Sequence, residues 1–217
     1  MSTYIDVARR IAKIIISPDS VSGFFHGVMS IPQDLGYLAY GFLDTDSRYI
    51  RGNERIRMAK ALQHGILQNS NFIKTVENVL GVFNKYIPQE KQNSLYSKTL
   101  FSVTGRAVGN TVVSGRIAQV IAQRASFTVG VRGSALGNVL LSGGMIERSI
   151  YTSFRLQTYA PEVYNSLRRY DYDLLYFFLE PALQPFLEAI HIRHTFGQSA
   201  FNKIIDELDN ELQKKRI

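Results

Sequence analysis

One stretch of this chain is written twice, 28 positions apart. Gly105-Arg106-Ala107-Val108-Gly109-Asn110-Thr111-Val112-Val113-Ser114-Gly115 is followed by Gly133-Ser134-Ala135-Leu136-Gly137-Asn138-Val139-Leu140-Leu141-Ser142-Gly143. Six of the eleven aligned positions are identical, three of them Gly. An ordered repeat of this kind calls for a repeated local structure. It is also costly to make helical, because Gly in a helix interior is worse than Ala by about 1 kcal/mol. A region holding Gly105, Gly109, Gly115, Gly130, Gly133, Gly137, Gly143 and Gly144 therefore needs an offsetting interaction.

Close helix packing supplies one. Gly105/Gly109 and Gly133/Gly137 have the four-residue spacing that lets two backbones approach, and Gly130, Gly137 and Gly144 recur at heptad spacing as a small-residue stripe. The two halves carry one charge each, Arg116 between Ala107 and Gln123 and Arg132 between Ala125 and Ile146. Each is close to bilayer length, yet a central Arg disfavours unaided insertion by roughly 2.5–3.5 kcal/mol. The pattern predicts an antiparallel helical hairpin over about residues 100–147, turned at Gln123-Arg124-Ala125-Ser126, that is buried in the fold and inserts conditionally. Asn110, Ser114, Asn138 and Ser142 are then the candidate pore-lining polar residues, and the glycines are the inserting and packing residues. Two other readings stay open. Gly-Asn is also turn chemistry, which would suit short β-hairpins. The glycines could equally serve tight packing in a helical protein that never meets a membrane.

The rest of the chain reads as helices within one domain of residues 1–217, an all-α fold enclosing the hairpin. Residues 2–16 form a short basic amphipathic helix with Ile5, Ala8, Ile11, Ala12 and Ile15 on one face. Val21 to Leu43 holds a single acid, Asp34, and no Lys or Arg. It reads as a buried two-helix elbow broken at Pro32, with a membrane-seeking element as the sharper alternative. Further helices are predicted over Ser47 to Asn69, Asn71 to Tyr86, Val163 to Leu179, Leu183 to His194 and Ser199 to Lys215, punctuated by Pro161, Pro181 and Pro185.

Composition removes several functions. The chain has no Cys, so disulfides and thiolate metal sites are excluded. Its net charge of +7 favours anionic partners, but the basic residues are dispersed rather than interleaved with aromatics, so no nucleic acid is expected. The N-terminus has no secretory signal pattern, and no uncharged apolar run reaches membrane-spanning length. Nucleophile-elbow, zinc-helix and phosphate-loop motifs are missing, and neither cofactor nor metal is expected. Glu188, His191 and His194 spread over too wide an arc for a metal site, and Asp171 and Asp173 read as helix-start acids. An enzyme would have to use an unfamiliar site built on Asp171, Asp173, His191 or His194.

With its glycine-zipper segment over about residues 100–147, small size, basic charge and lack of Cys and signal, the chain resembles the pore-forming effectors of bacterial type VI secretion. The resemblance implies a non-enzymatic toxin made in the bacterial cytoplasm. It would insert into the inner membrane of a competing cell, pass ions and depolarise it. Implied partners are the lipid bilayer, a cognate immunity protein, a secretion-apparatus carrier and further copies of the chain in the membrane. Arg106, Arg116 and Arg132 disfavour a cation-selective lumen. The alternative function is a soluble helical binding, adaptor or immunity-type protein whose Gly-rich segment is core.

Overall fold

A computed structural model describes residues 3–18, 31–97, 110–131 and 143–214. The described residues form ten α-helices, one short 3-10 turn and no strand, which is the all-α class expected from the sequence. The helices are α1 (Tyr4–Ile16), α2 (Ile31–Leu43), α3 (Arg48–Gln63), α4 (Asn69–Lys85) and α5 (Gln89–Ser97), then α6 (Asn110–Val131), α7 (Gly144–Tyr159), α8 (Pro161–Arg168), α9 (Tyr176–Phe196) and α10 (Gln198–Lys214). The 3-10 turn, Tyr172–Leu174, joins α8 to α9.

The core is built around α9. Phe177, Phe178, Leu179, Ala182, Leu183, Phe186, Leu187, Ala189 and Ile190 are all buried, so this helix is apolar over most of its circumference, with Glu180, Gln184, Glu188 and His191 as its one polar, partly exposed stripe. It packs against α1, α4, α6, α7 and α10. Edge-to-face ring pairs link Phe72 to Phe178, Phe83 to Phe186 and Phe83 to Phe201. Helix α1 is capped by Thr3, whose Oγ1 accepts from the Asp6 amide at 3.2 Å. It lays Val7, Ala8, Ile11, Ala12 and Ile15 on α10, which answers with Phe201, Ile204, Ile205, Leu208 and Leu212. The charges of α1 face outward or toward acids, with Arg10 on Glu188 at 2.5 Å. Ile5, expected on the apolar face, is exposed.

Two sequence expectations about helix ends are corrected. Pro181 and Pro185 do not punctuate: both lie inside α9. Each removes a backbone donor, and the packing of α9 against five neighbouring helices offsets that loss. The break falls earlier, at Asp171, the sole non-Gly residue with positive φ among those described (φ 61°). The predicted hairpin turn at Gln123–Ser126 is not a turn either, because α6 runs unbroken through it. Ile117, Ala118, Ile121, Ala122 and Ala125 repeat at helical spacing across that point, and this buried stripe packs α6 against α4.

The glycines divide by role. Gly105, Gly109, Gly133, Gly137, Asn138 and Ser142 lie outside the described residues. Asn110 and Gly130 lie on α6, and Gly143 caps α7 in the left-handed region at φ 83°. Gly144 is a close approach: a Cβ there would sit 2.6 Å from the backbone oxygen of Asp34 on α2. Gly115 is not, since the nearest atom to its added Cβ would be Glu77 Oε1 at 3.8 Å. Gly144→Ala should therefore cost on the order of 1–3 kcal/mol. Gly115→Ala should stabilise by up to about 1 kcal/mol. Urea denaturation of the two single variants checks both signs.

Candidate functional site

Helix α2 is packed inside out. Its one charged residue, Asp34, points inward and is 5% exposed. Most of its large apolar side chains point the other way, with Leu35, Tyr40, Phe42 and Leu43 exposed, the last two at 75% and 80%. The buried two-helix elbow expected from the sequence is thus corrected for this helix. The reason lies in its inner face. Asp34, Leu38 and Gly41 recur at helical spacing and lie against α7, where Gly143 and Gly144 admit the α2 backbone. That face is too narrow and polar to take the large apolar residues. Just past the elbow, α3 adds exposed Tyr49, Ile50 and Ile56, with Arg48 exposed and Arg55 half-exposed among them. Large apolar side chains exposed in this number on two successive helices mark a place where something docks.

Beneath this surface the elbow is latched by buried charge. Arg51 and Glu147 are each 1% exposed and pair at 2.8 Å. Arg55 also pairs with Glu147. The Arg51 guanidinium is engaged through all three nitrogens: besides Nη1 on Glu147, Nε donates to Ser47 Oγ at 2.7 Å, and Nη2 donates to the carbonyl oxygens of Gly41, at 2.7 Å, and Asp44. These carbonyls close the C-terminal end of α2, so one cation ties α2, α3 and α7 together. Tyr151 on α7 adds a hydroxyl donated to Asp44 Oδ2 at 2.7 Å, and burial together with that carboxylate pushes its phenol up to about 12. Farther along α2, Arg148 reaches Asp34 at 3.4 Å.

A second cluster joins α3 to α8 and the 3-10 turn. Arg57 spans Glu54 at 2.6 Å, Asp173 at 2.6 Å and Asp171 at 2.7 Å. Arg168 pairs with Glu54 at 2.6 Å, and Ser153 donates to the fully buried Asp173 at 2.6 Å. Burial alone would raise both carboxyls. For Glu54 the bonds from Arg168 and Arg57 outweigh it, and for Asp173 those from Arg57 and Ser153 do, so both are held below their ordinary values of 4.5 and 3.8. Asp34 goes the other way: its burial outweighs the attraction of Arg148 and raises it.

The signs follow from linkage. The stability contributed by Glu54 and Asp173 is fully present above the unfolded values and is lost as pH falls through the lower folded ones. Acidification relieves the charged Asp34 instead, but Asp44 is held down along with Glu54 and Asp173, so Asp34 is outnumbered. Urea midpoints should therefore fall from about pH 6 to about pH 3, and Glu54→Gln should start lower and fall less.

The residues singled out in the sequence are scattered here. Ser114 is buried in α6 and accepts from Asn84 at 2.9 Å, which ties α6 to α4. Asp171 and Asp173, read as helix-start acids, are instead members of the ion-pair cluster. His191 stacks on Tyr159 with ring centroids 4.1 Å apart, and Glu188 is occupied by Arg10. No cluster of His, Asp and Glu suited to a metal occurs among the described residues. No described helix is long and apolar enough to cross a membrane. Sequence reasoning missed Arg51, Glu54, Arg57, Glu147, Arg148 and Arg168. A signal existed: α3 has no apolar stripe, yet Arg51, Glu54, Met58 and Ala61 repeat at helical spacing, and that face is the buried one.

Comparison with protein-family models, curated proteins and solved structures finds no match to this chain.

Proposed function

We propose that this protein is a membrane-active toxin of the pore-forming kind, which docks on an anionic bilayer through the α2–α3 elbow and then inserts its Gly-rich segments. The observation that carries this reading is the inside-out packing of α2: an apolar helix end turned outward, rimmed by Arg48 and Arg55. Anionic headgroups complement the rim, and Phe42, Leu43, Tyr49 and Ile50 have the size to enter the acyl boundary. The Arg51–Glu147 pair acts as the latch, because α7 cannot leave α3 without separating two desolvated charges. A pore of several copies, a carrier for export and an immunity protein for the producer complete the proposal.

Planar-bilayer recording with purified protein tests it. Stepwise conductance that disappears in the Gly109→Leu/Gly137→Leu variant is the expected result. A silent bilayer, together with protein that does not float with anionic vesicles, overturns the toxin reading. The same exposed elbow would then serve an apolar protein partner, as in a helical adaptor.

A further inference from the structure

Between α2, α7 and α9 lies a partly open cavity of about 710 Å³, the size of many small-molecule sites. Its walls are aromatic. Tyr37 stacks on Tyr151 with centroids 6.0 Å apart, and Tyr40 meets the same ring edge-on at 5.0 Å. Tyr159 lines the far side.

The charges on the wall are already matched. Arg155 pairs with Glu180 at 3.2 Å and donates to the Tyr37 hydroxyl at 2.6 Å. An anionic ligand would have to compete with Glu180, and a cationic one with Arg155. What remains unmatched is neutral. Tyr176 is 2% exposed and lines the cavity, and its hydroxyl has no hydrogen-bond partner among the described residues. The Gln184 amide, which also lines the cavity, has none among them either. The hydroxyl is not sealed in protein but opens on the cavity, where a bound acceptor takes the place of water. Burial holds the Tyr176 phenol well above its ordinary range, which keeps its proton available for donation.

We propose that this cavity binds one flat, uncharged ring compound bearing a carbonyl oxygen, stacked among the tyrosine rings and accepting hydrogen bonds from Tyr176 and Gln184. Ring faces supply sequence-independent attraction for a flat ligand. Neutral donors on the wall, the Tyr176 hydroxyl and the Gln184 amide among them, select an uncharged acceptor. The inference is independent of the membrane reading, since it rests on the cavity and not on the exposed elbow.

Menadione is a suitable probe: it is flat, uncharged and carries carbonyls, and the chain has no Cys for it to alkylate. Calorimetric titration of the full chain should show one saturable site. Tyr176→Phe, which keeps the ring and deletes only the hydroxyl, should weaken binding by roughly 3- to 10-fold. Gln184→Leu should weaken it similarly, and serves if the first variant misfolds by circular dichroism. Phe42→Ser/Leu43→Ser should bind menadione like the native chain. Absence of saturable binding, or equal affinity in Tyr176→Phe and the native chain, overturns the site. Benzoate binding more tightly than menadione overturns the uncharged class.

Discussion

Glu147→Leu should lower the unfolding free energy by about 3–5 kcal/mol, the cost of leaving a buried charge without its partner. Arg51 is 1% exposed and cannot turn to water without leaving the α2 carbonyls of Gly41 and Asp44 unsatisfied. Arg55, at half exposure, loses its contact with far smaller consequence. The double variant Arg51→Met/Glu147→Leu should be less damaged than the sum of its two singles, because removing both charges removes the desolvation cost along with the attraction. Recovery should be incomplete, since Met cannot bond to the two carbonyls. Urea unfolding of the four proteins measures the coupling. If Glu147→Leu is within about 1 kcal/mol of the native chain, the pair is no latch.

Phe42→Ser/Leu43→Ser should reduce partition onto anionic vesicles by about 100-fold or more while leaving urea stability nearly unchanged. Burying a Phe or Leu side chain fully is worth about 1.5–3 kcal/mol each. Both residues are at least three-quarters exposed here, so the fold gains little from them. Arg48→Gln should weaken binding less, and only at low salt, because the attraction of a single surface cation to anionic lipid is about 1 kcal/mol and is screened. Vesicle flotation against salt separates the two contributions. Undiminished flotation of the Phe42→Ser/Leu43→Ser protein would move the docking face away from the elbow.

Local pattern located the helices that have one clean apolar face. The stripe of Phe201, Ile204, Ile205, Leu208 and Leu212 predicts a helix over Ser199 to Lys215, and Gln198–Lys214 forms. Asn71 to Tyr86 differs from Asn69–Lys85 by two residues or fewer at each end. These helices have one apolar face and water on the other, so spacing alone reports their burial. The method fails where neighbours set the outcome. Pro181 and Pro185 sit inside a helix because α9 is packed against five other helices, which no local rule registers. Gln123–Ser126 continues α6 because the buried stripe that runs from Ile117 to Ala125 seats on α4.

The candidate site was the least legible part. The sequence by itself determined that the chain is helical, lacks thiol chemistry, and carries an unusual density of small residues between 105 and 144. It also determined that Asp34 is the lone charge of an otherwise apolar segment. Only the tertiary structure decided that this lone charge turns inward and its apolar neighbours outward. It also decided that Arg51 meets Glu147 from 96 residues away. Periodicity ranks residues by their own affinity for water. A buried ion pair depends on a partner brought by the fold, and its position follows from which backbones can approach, here through Gly143 and Gly144, not from the hydropathy of either residue.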